Sequence, residues 1–152
     1  MTAKNLIQKL QLLPHPEGGW YRETYRSEET MTTKNGAKRN VSTAIYFLLE
    51  EKNKSHFHRI ESDETWFFHS GETLEVLMIE DGELRTVLLG NNLSKGEMPQ
   101  FTVPARTWFA AKIKSGTGYS LVSCTVAPGF DFADFELDER EKLSNEFSEL
   151  KE

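Results

Sequence analysis

This sequence predicts an all-β domain, an antiparallel sandwich or closed barrel with a short helix at each end. Three observations carry that expectation. Segments rich in aromatic and β-branched residues follow one another from Trp20 to about residue 136, turn signals separate them, and helical spacing of apolar residues occurs only before Pro14 and after Asp138. With 152 residues, 38% hydrophobic and 28% charged, the chain suits a single domain over 1–152 with its barrel core over about 20–136.

Residues 3–12 place Leu6, Ile7, Leu10 and Leu13 at helical spacing, Thr2 is available as the N-cap, and Pro14 and Pro16 end the pattern. The strands follow as WYRETYRS from Trp20, TAIYFLLE from Thr43, TWFFH from Thr65, TLEVLMIE from Thr73, ELRTVLLG from Glu83, a segment around TWFAA from Thr107, and YSLVSCTV from Tyr119. Between the fourth and fifth of these, Asp81-Gly82 supplies the positive φ angles that a two-residue hairpin turn demands. Polar loops rich in Gly or Asn fill 31–40, 51–55, 91–98 and 114–118. Asp138 followed by Glu141 resembles a capping box, and Leu143, Phe147 and Leu150 share one face, which predicts a last helix over about 138–150.

The formal charge is −6, and residues 131–152 carry all of it, with nine acidic and three basic side chains. The preceding 130 residues balance at fifteen against fifteen. A neutral body with an acidic tail lacks the basic stripe that a phosphate backbone requires, so no nucleic-acid partner is expected. No run approaches the eighteen or so apolar residues of a membrane span. Lys4 and Lys9 interrupt the apolar start, so no membrane partner and a cytoplasmic location are expected. The single cysteine, Cys124, lies in an apolar strand, rules out an internal disulfide framework, and reads as a buried, inert thiol.

The chemical signal is the clustering of histidines. Of four, three fall within fourteen residues: His56, His58 and His69. In an extended strand His56 and His58 face one side, and Glu64 follows after a short turn at Glu61-Ser62-Asp63. Two imidazoles and a carboxylate converging on one point make an open site for one divalent metal ion, or a metal-free acid/base group, or a hydrogen-bonded pair of interior histidines. His69 falls on the opposite strand face from Glu64, Trp66 and Phe68 and reads as a sheet histidine. His15 belongs to HPEGGWYRE, whose glycines, charges and aromatics suit a loop bordering a pocket, packed across the barrel mouth, or meeting a second copy. Tyr46, Trp66, Phe68, Phe109 and Tyr119 are ordinarily core residues, but in a small barrel such residues also wall whatever cavity remains. Arg22 or Arg59 would hold an anionic group of a ligand there. No nucleotide-cofactor fingerprint, phosphate-binding loop or serine-nucleophile elbow is present.

These residues resemble the cupin superfamily. Its first motif is matched by His56-Phe57-His58, five residues, Glu64, six residues and Gly71, with one extra residue before the glutamate. Its second is similar to Gly96 through Pro104-Ala105-Arg106-Thr107-Trp108-Phe109, where Arg106 stands at a glycine, Phe109 at the third histidine ligand and Ile113 at an asparagine. HPEGGWY with RETYR, then FHR with SDE and Trp66, then VAPGFDFADFE narrow the resemblance to cupin family five, in which Phe67 replaces a usual histidine. The resemblance implies a double-stranded β-helix, that is, a jelly-roll barrel, commonly a homodimer, with His56, His58 and Glu64 as metal ligands lacking the usual fourth. It also implies, by analogy with cupin epimerases and isomerases, an enzyme acting on a small polar, sugar- or nucleotide-like metabolite. The alternative is a non-catalytic small-molecule binding or sensing module with a degraded metal site. Metal-dependent dioxygenase chemistry is a third reading, weakened by the missing ligand.

Overall fold

The computed structural model describes residues 1–51 and 53–138, so the helix expected over 138–150 lies outside the described residues. At the start, helix α1 (Ala3–Leu10) is fixed by a reciprocal cap in which Asn5 N–H donates to the Thr2 hydroxyl and Thr2 N–H donates to the Asn5 carbonyl oxygen. Gln11 takes the left-handed conformation, φ 55°, and ends the helix. That reversal corrects the expected apolar face. Leu12 turns inward and is buried, while Leu13 enters a short strand, β1 (Leu13–Pro14), and is 63% exposed.

Twelve further strands follow: β2 (Trp20–Arg26), β3 (Thr30–Thr32), β4 (Lys38–Asn40), β5 (Thr43–Glu50), β6 (His58–Arg59), β7 (Asp63–Gly71), β8 (Leu74–Glu80), β9 (Glu83–Leu89), β10 (Gln100–Val103), β11 (Trp108–Ile113), β12 (Tyr119–Ala127) and β13 (Glu136–Leu137). A six-stranded sheet in the order β1-β2-β5-β12-β7-β10 faces a five-stranded one in the order β13-β6-β11-β8-β9, and β3-β4 forms a separate arm. All strand pairings are antiparallel. The hairpin turn between β8 and β9 is as expected, with φ 51° at Asp81 and 77° at Gly82.

Alternation along the strands sends Phe47, Trp66 and Val122 from one sheet and Met78 and Phe109 from the other into a common interior. Full burial of side chains this large contributes about 1.5–3 kcal/mol each. Leu48 and Leu121, of opposite parity, are buried instead on the outer face under Leu6 and Leu12. Two irregularities re-aim side chains. The register shifts between Glu23 and Tyr25 in β2, and β7 carries His69 as an extra residue between the Phe68–Val122 and Ser70–Leu121 pairs. Gly71 has φ +96°, and a Cβ there would lie 2.1 Å from the Tyr119 carbonyl oxygen, so only glycine lets β7 approach β12 at this point.

After β12 the chain crosses from the six-stranded sheet to the five-stranded one, where β13 pairs with β6. This strap is anchored at both ends. Gly129 N–H donates to Asn40 O and Phe130 N–H to the Thr43 hydroxyl, while the Arg39 guanidinium grips the Asp134 carboxylate with bonds of 2.8 and 2.7 Å. No helix among the described residues is long and apolar enough to cross a membrane.

Candidate functional site

A cavity of about 410 Å³ opens between the sheets beneath this strap. Its deep wall is Ile45 from β5, Glu64 from β7, and Cys124 and Val126 from β12, all on the inward parity of their strands. Tyr21 and Glu23 enter from β2, and the register shift after Glu23 brings Arg26, rather than Tyr25, to the same side. The strap adds Phe130, Asp131, Phe132 and Phe135. His15, Glu17 and His58 complete the polar wall.

Local backbone chemistry places Glu17. Gly18 and Gly19 have φ of +103° and +80°, and a Cβ on either would collide, at 2.7 Å from Lys54 O or from Leu49 Cδ2 respectively. The loop therefore lies flat against its neighbours, closed by His15 N–H to Gly19 O and Gly18 N–H to His15 O, and its carboxylate turns inward. The Glu17 N–H donates to His15 Nδ1 at 3.0 Å, so that nitrogen carries no proton. Burial, reinforced by the charge of His58 and opposed by Glu17, holds the His15 pKa below its ordinary value, in keeping with a neutral ring.

His58 is engaged at both ring nitrogens. Nδ1 meets the His56 carbonyl at 2.8 Å and Nε2 meets a Glu17 carboxylate oxygen at 2.5 Å. Both partners are acceptors, so both nitrogens carry protons and the ring is an imidazolium. Burial would lower the His58 pKa, but the charge and hydrogen bond of Glu17, with help from Glu64, raise it. Burial would likewise raise Glu17, but His58 brings it below the usual carboxylate value. Glu64 differs. Burial first, then the charge of Glu17, push its pKa up to about 7, against the pull of His58 and of a hydrogen bond from Cys124. The thiol itself is raised well above its ordinary value by burial and by Glu64, which agrees with an inert cysteine.

The structure thus brings together His58 and Glu64 and leaves His56 apart. His56 is exposed, precedes β6 rather than lying in it, and directs its backbone N–H and Nδ1 to Glu17 O. Among the described residues no three His, Cys, Asp or Glu side chains are disposed to hold a metal ion. The donor set does not fit one. Both His58 nitrogens are occupied, His56 lies outside the cavity wall, and the ring of Phe109, opposite His58 in the β11–β6 pair, sits 4.1 Å from the His58 ring.

None of the seven expected wall residues lines this cavity. Tyr46 and Tyr119 pack outward with the α1 cluster, Trp66 and Phe109 fill the core, and Phe68 packs against that core. Arg22 donates to Leu10 O, and Arg59 stacks over Trp108 while pairing with Glu136. Of the three readings of HPEGGWYRE, the structure shows the one that borders a pocket, through His15, Glu17, Tyr21 and Glu23, while Arg26 and the GFDFADF residues Phe130, Phe132 and Phe135 were not expected there. The glycines, charges and aromatics of the first segment were the signal for that reading; the second carried aromatics without a comparable one. His69 is outside the cavity, on Ser123, as expected for a sheet histidine.

A family model described as Cupin superfamily (DUF985) matches residues 4–138. The chain is 32% identical to an uncharacterised protein of Saccharomyces cerevisiae over 147 residues, covering 88% of this chain and 73% of that one. It is also similar to a hypothetical protein of Leishmania major, with a TM-score of 0.90 and 39% identity over 98% of this chain and 94% of the other. A protein of Shewanella oneidensis superposes with a TM-score of 0.88 and 43% identity over 99% and 93%.

Proposed function

We propose, for a chain that belongs to the DUF985 family of the cupin superfamily, that the barrel cavity binds a small polar metabolite and transfers a proton on it, in the manner of an epimerase or isomerase. One observation carries this reading: Glu64, 8% exposed, faces an aromatic-walled cavity beside the buried His58–Glu17 ion pair. A carboxyl with a pKa near 7 exists in both forms at neutral pH, which suits a group that takes a proton and returns it. As carboxylate, Glu64 removes a proton from one position of the ligand; as carboxylic acid it delivers one to another, leaving no net proton change. The His58 imidazolium offsets negative charge that develops between the two steps, and Glu17 holds it protonated.

The test begins with native mass spectrometry of the purified protein to identify a retained small molecule, followed by incubation of that compound with wild type and Glu64→Gln. Isomerised product with wild type, reduced at least about a hundredfold in the variant, supports proton transfer. A ligand held and released unchanged would identify a binding or sensing module instead. A homodimer belongs to the same proposal, because among the described residues β2 is paired to β1 only at Trp20 and Tyr21, which leaves its edge from Arg22 onward without a strand partner among them. Solution scattering at micromolar concentration reads it directly, and a monomer would remove it.

A further inference from the structure

The charges around the cavity are unequal once their internal pairings are taken out. His58 is engaged by Glu17 and by the His56 carbonyl. Arg26 commits four of its five N–H donors, to the two Glu23 oxygens at 3.2 and 2.5 Å, to Asn40 at 2.8 Å and to Phe130 O at 3.0 Å, and its charge is offset by the Glu23 carboxylate. His15 accepts at Nδ1 and is neutral. Two acids remain. Asp131 caps Ala133 N–H, and Glu64, more than nine-tenths buried, has a thiol as its hydrogen-bond partner rather than a cation. Among the described residues lining the cavity there is no further cation to set against them.

The apolar side of the cavity points the same way. Phe130, Phe132 and Phe135 form an edge-to-face trio with ring centroids 4.9 to 6.3 Å apart, and Phe132 is 53% exposed at the rim. Aromatic faces attract cations and offer nothing to a carboxylate or phosphate. An anionic ligand would leave water to meet an unpaired acid, whereas a protonated nitrogen would give Glu64 a charge-assisted partner.

We infer that the ligand of this cavity is a small organic cation, a compact molecule with one protonated nitrogen that sits on Glu64 while its apolar part lies against Phe130, Phe132 and Phe135. This rests on the reading of the cavity as a ligand site and narrows it. It also replaces the expectation of an arginine-held anionic group, since Arg22 and Arg59 both point elsewhere.

Three phenyl probes of similar size and different charge test it: benzylamine, benzyl alcohol and benzoate, titrated by calorimetry and by thermal shift into wild type, Glu64→Gln and Phe132→Ala. The expected result is benzylamine binding at least about tenfold more tightly than the other two. Glu64→Gln should remove the preference for amine over alcohol, and Phe132→Ala, at an exposed position that leaves folding intact, should weaken the amine several-fold. Benzoate or benzyl alcohol binding as tightly as benzylamine, or an amine preference that survives Glu64→Gln, overturns the cation inference while leaving a ligand site in place. Failure of all three probes to bind or to shift the melting temperature overturns both.

Discussion

Glu17 and His58 are joined by a 2.5 Å contact that ties the loop ahead of β2 to the first residue of β6, and neither side chain is more than 7% exposed. A buried pair of this kind is held by mutual charge, so removing one partner strands the other. Glu17→Gln should destabilise the protein by about 3–5 kcal/mol in urea unfolding, because the His58 imidazolium then loses its hydrogen-bonded counter-charge and keeps only the weaker pull of Glu64. Glu17→Gln/His58→Gln should recover part of that loss. A cost below about 1 kcal/mol for the single variant would mean that the pair is not ionised.

The pH dependence of stability follows from Glu64. Its pKa rises from an ordinary 4.5 to about 7 on folding, so the folded state binds more protons between those values. The protonated carboxyl is accommodated at low pH, and the stability it supports, on the order of 3 kcal/mol, is lost as pH climbs from about 4.5 through 7. His58, also raised, loses its contribution in the same direction but above its ordinary 6.5. Glu17, lowered, acts oppositely, and its contribution is lost only as pH falls below 4.5. Melting temperature should therefore fall between pH 5 and 8 in wild type and fall clearly less in Glu64→Gln. Parallel curves would show that Glu64 titrates as an ordinary carboxyl.

How much of this was legible in the sequence depends on whether a feature is decided locally. The Asp81-Gly82 turn and the Thr2 cap are settled by a few adjacent residues, and both stand as read. Cavity walls are decided by parity, and parity is reset by bulges. Tyr46 and Ile45 are neighbours, yet only Ile45 faces the cavity. Arg26 joins Tyr21 and Glu23 because the register slips after Glu23, which no composition rule announces. His56 and His58 share parity in an ideal strand, but β6 begins at His58, so the expected pair is broken. Glu17 reaches His58 through a loop whose path depends on contacts with Leu49 and Lys54, far away in sequence.

The strap over the cavity is held at one point by the Arg39–Asp134 fork. Asp134→Asn keeps the shape and removes the charge, so the bidentate pair is weakened without a cavity being opened. Amide exchange over 129–137 should quicken by at least about tenfold, while β5 and β12 stay protected. Unchanged exchange in the strap would assign its order to the β13–β6 pairing, the backbone bonds of Gly129 and Phe130 and the Phe130–Phe135 packing rather than to the fork.

Arg106 provides a substitution expected to stabilise. It has φ +60°, a conformation that costs a side-chain-bearing residue about 1–2 kcal/mol. The turn is held by Thr107 N–H to Pro104 O and by Arg106 N–H to Ile60 O, both backbone bonds that glycine preserves. The Arg106 side chain contributes little, because its contact with Glu61 is 3.8 Å long between two exposed groups. Glycine also gives the unfolded chain more freedom, which offsets part of the relieved strain. Arg106→Gly should therefore gain about 0.5–1 kcal/mol, or roughly 1–4 °C in melting temperature. Arg106→Ala is the decisive control: it deletes the same side chain but keeps the Cβ that makes the conformation costly. A gain with alanine equal to that with glycine would place the strain in the arginine side chain rather than in the backbone.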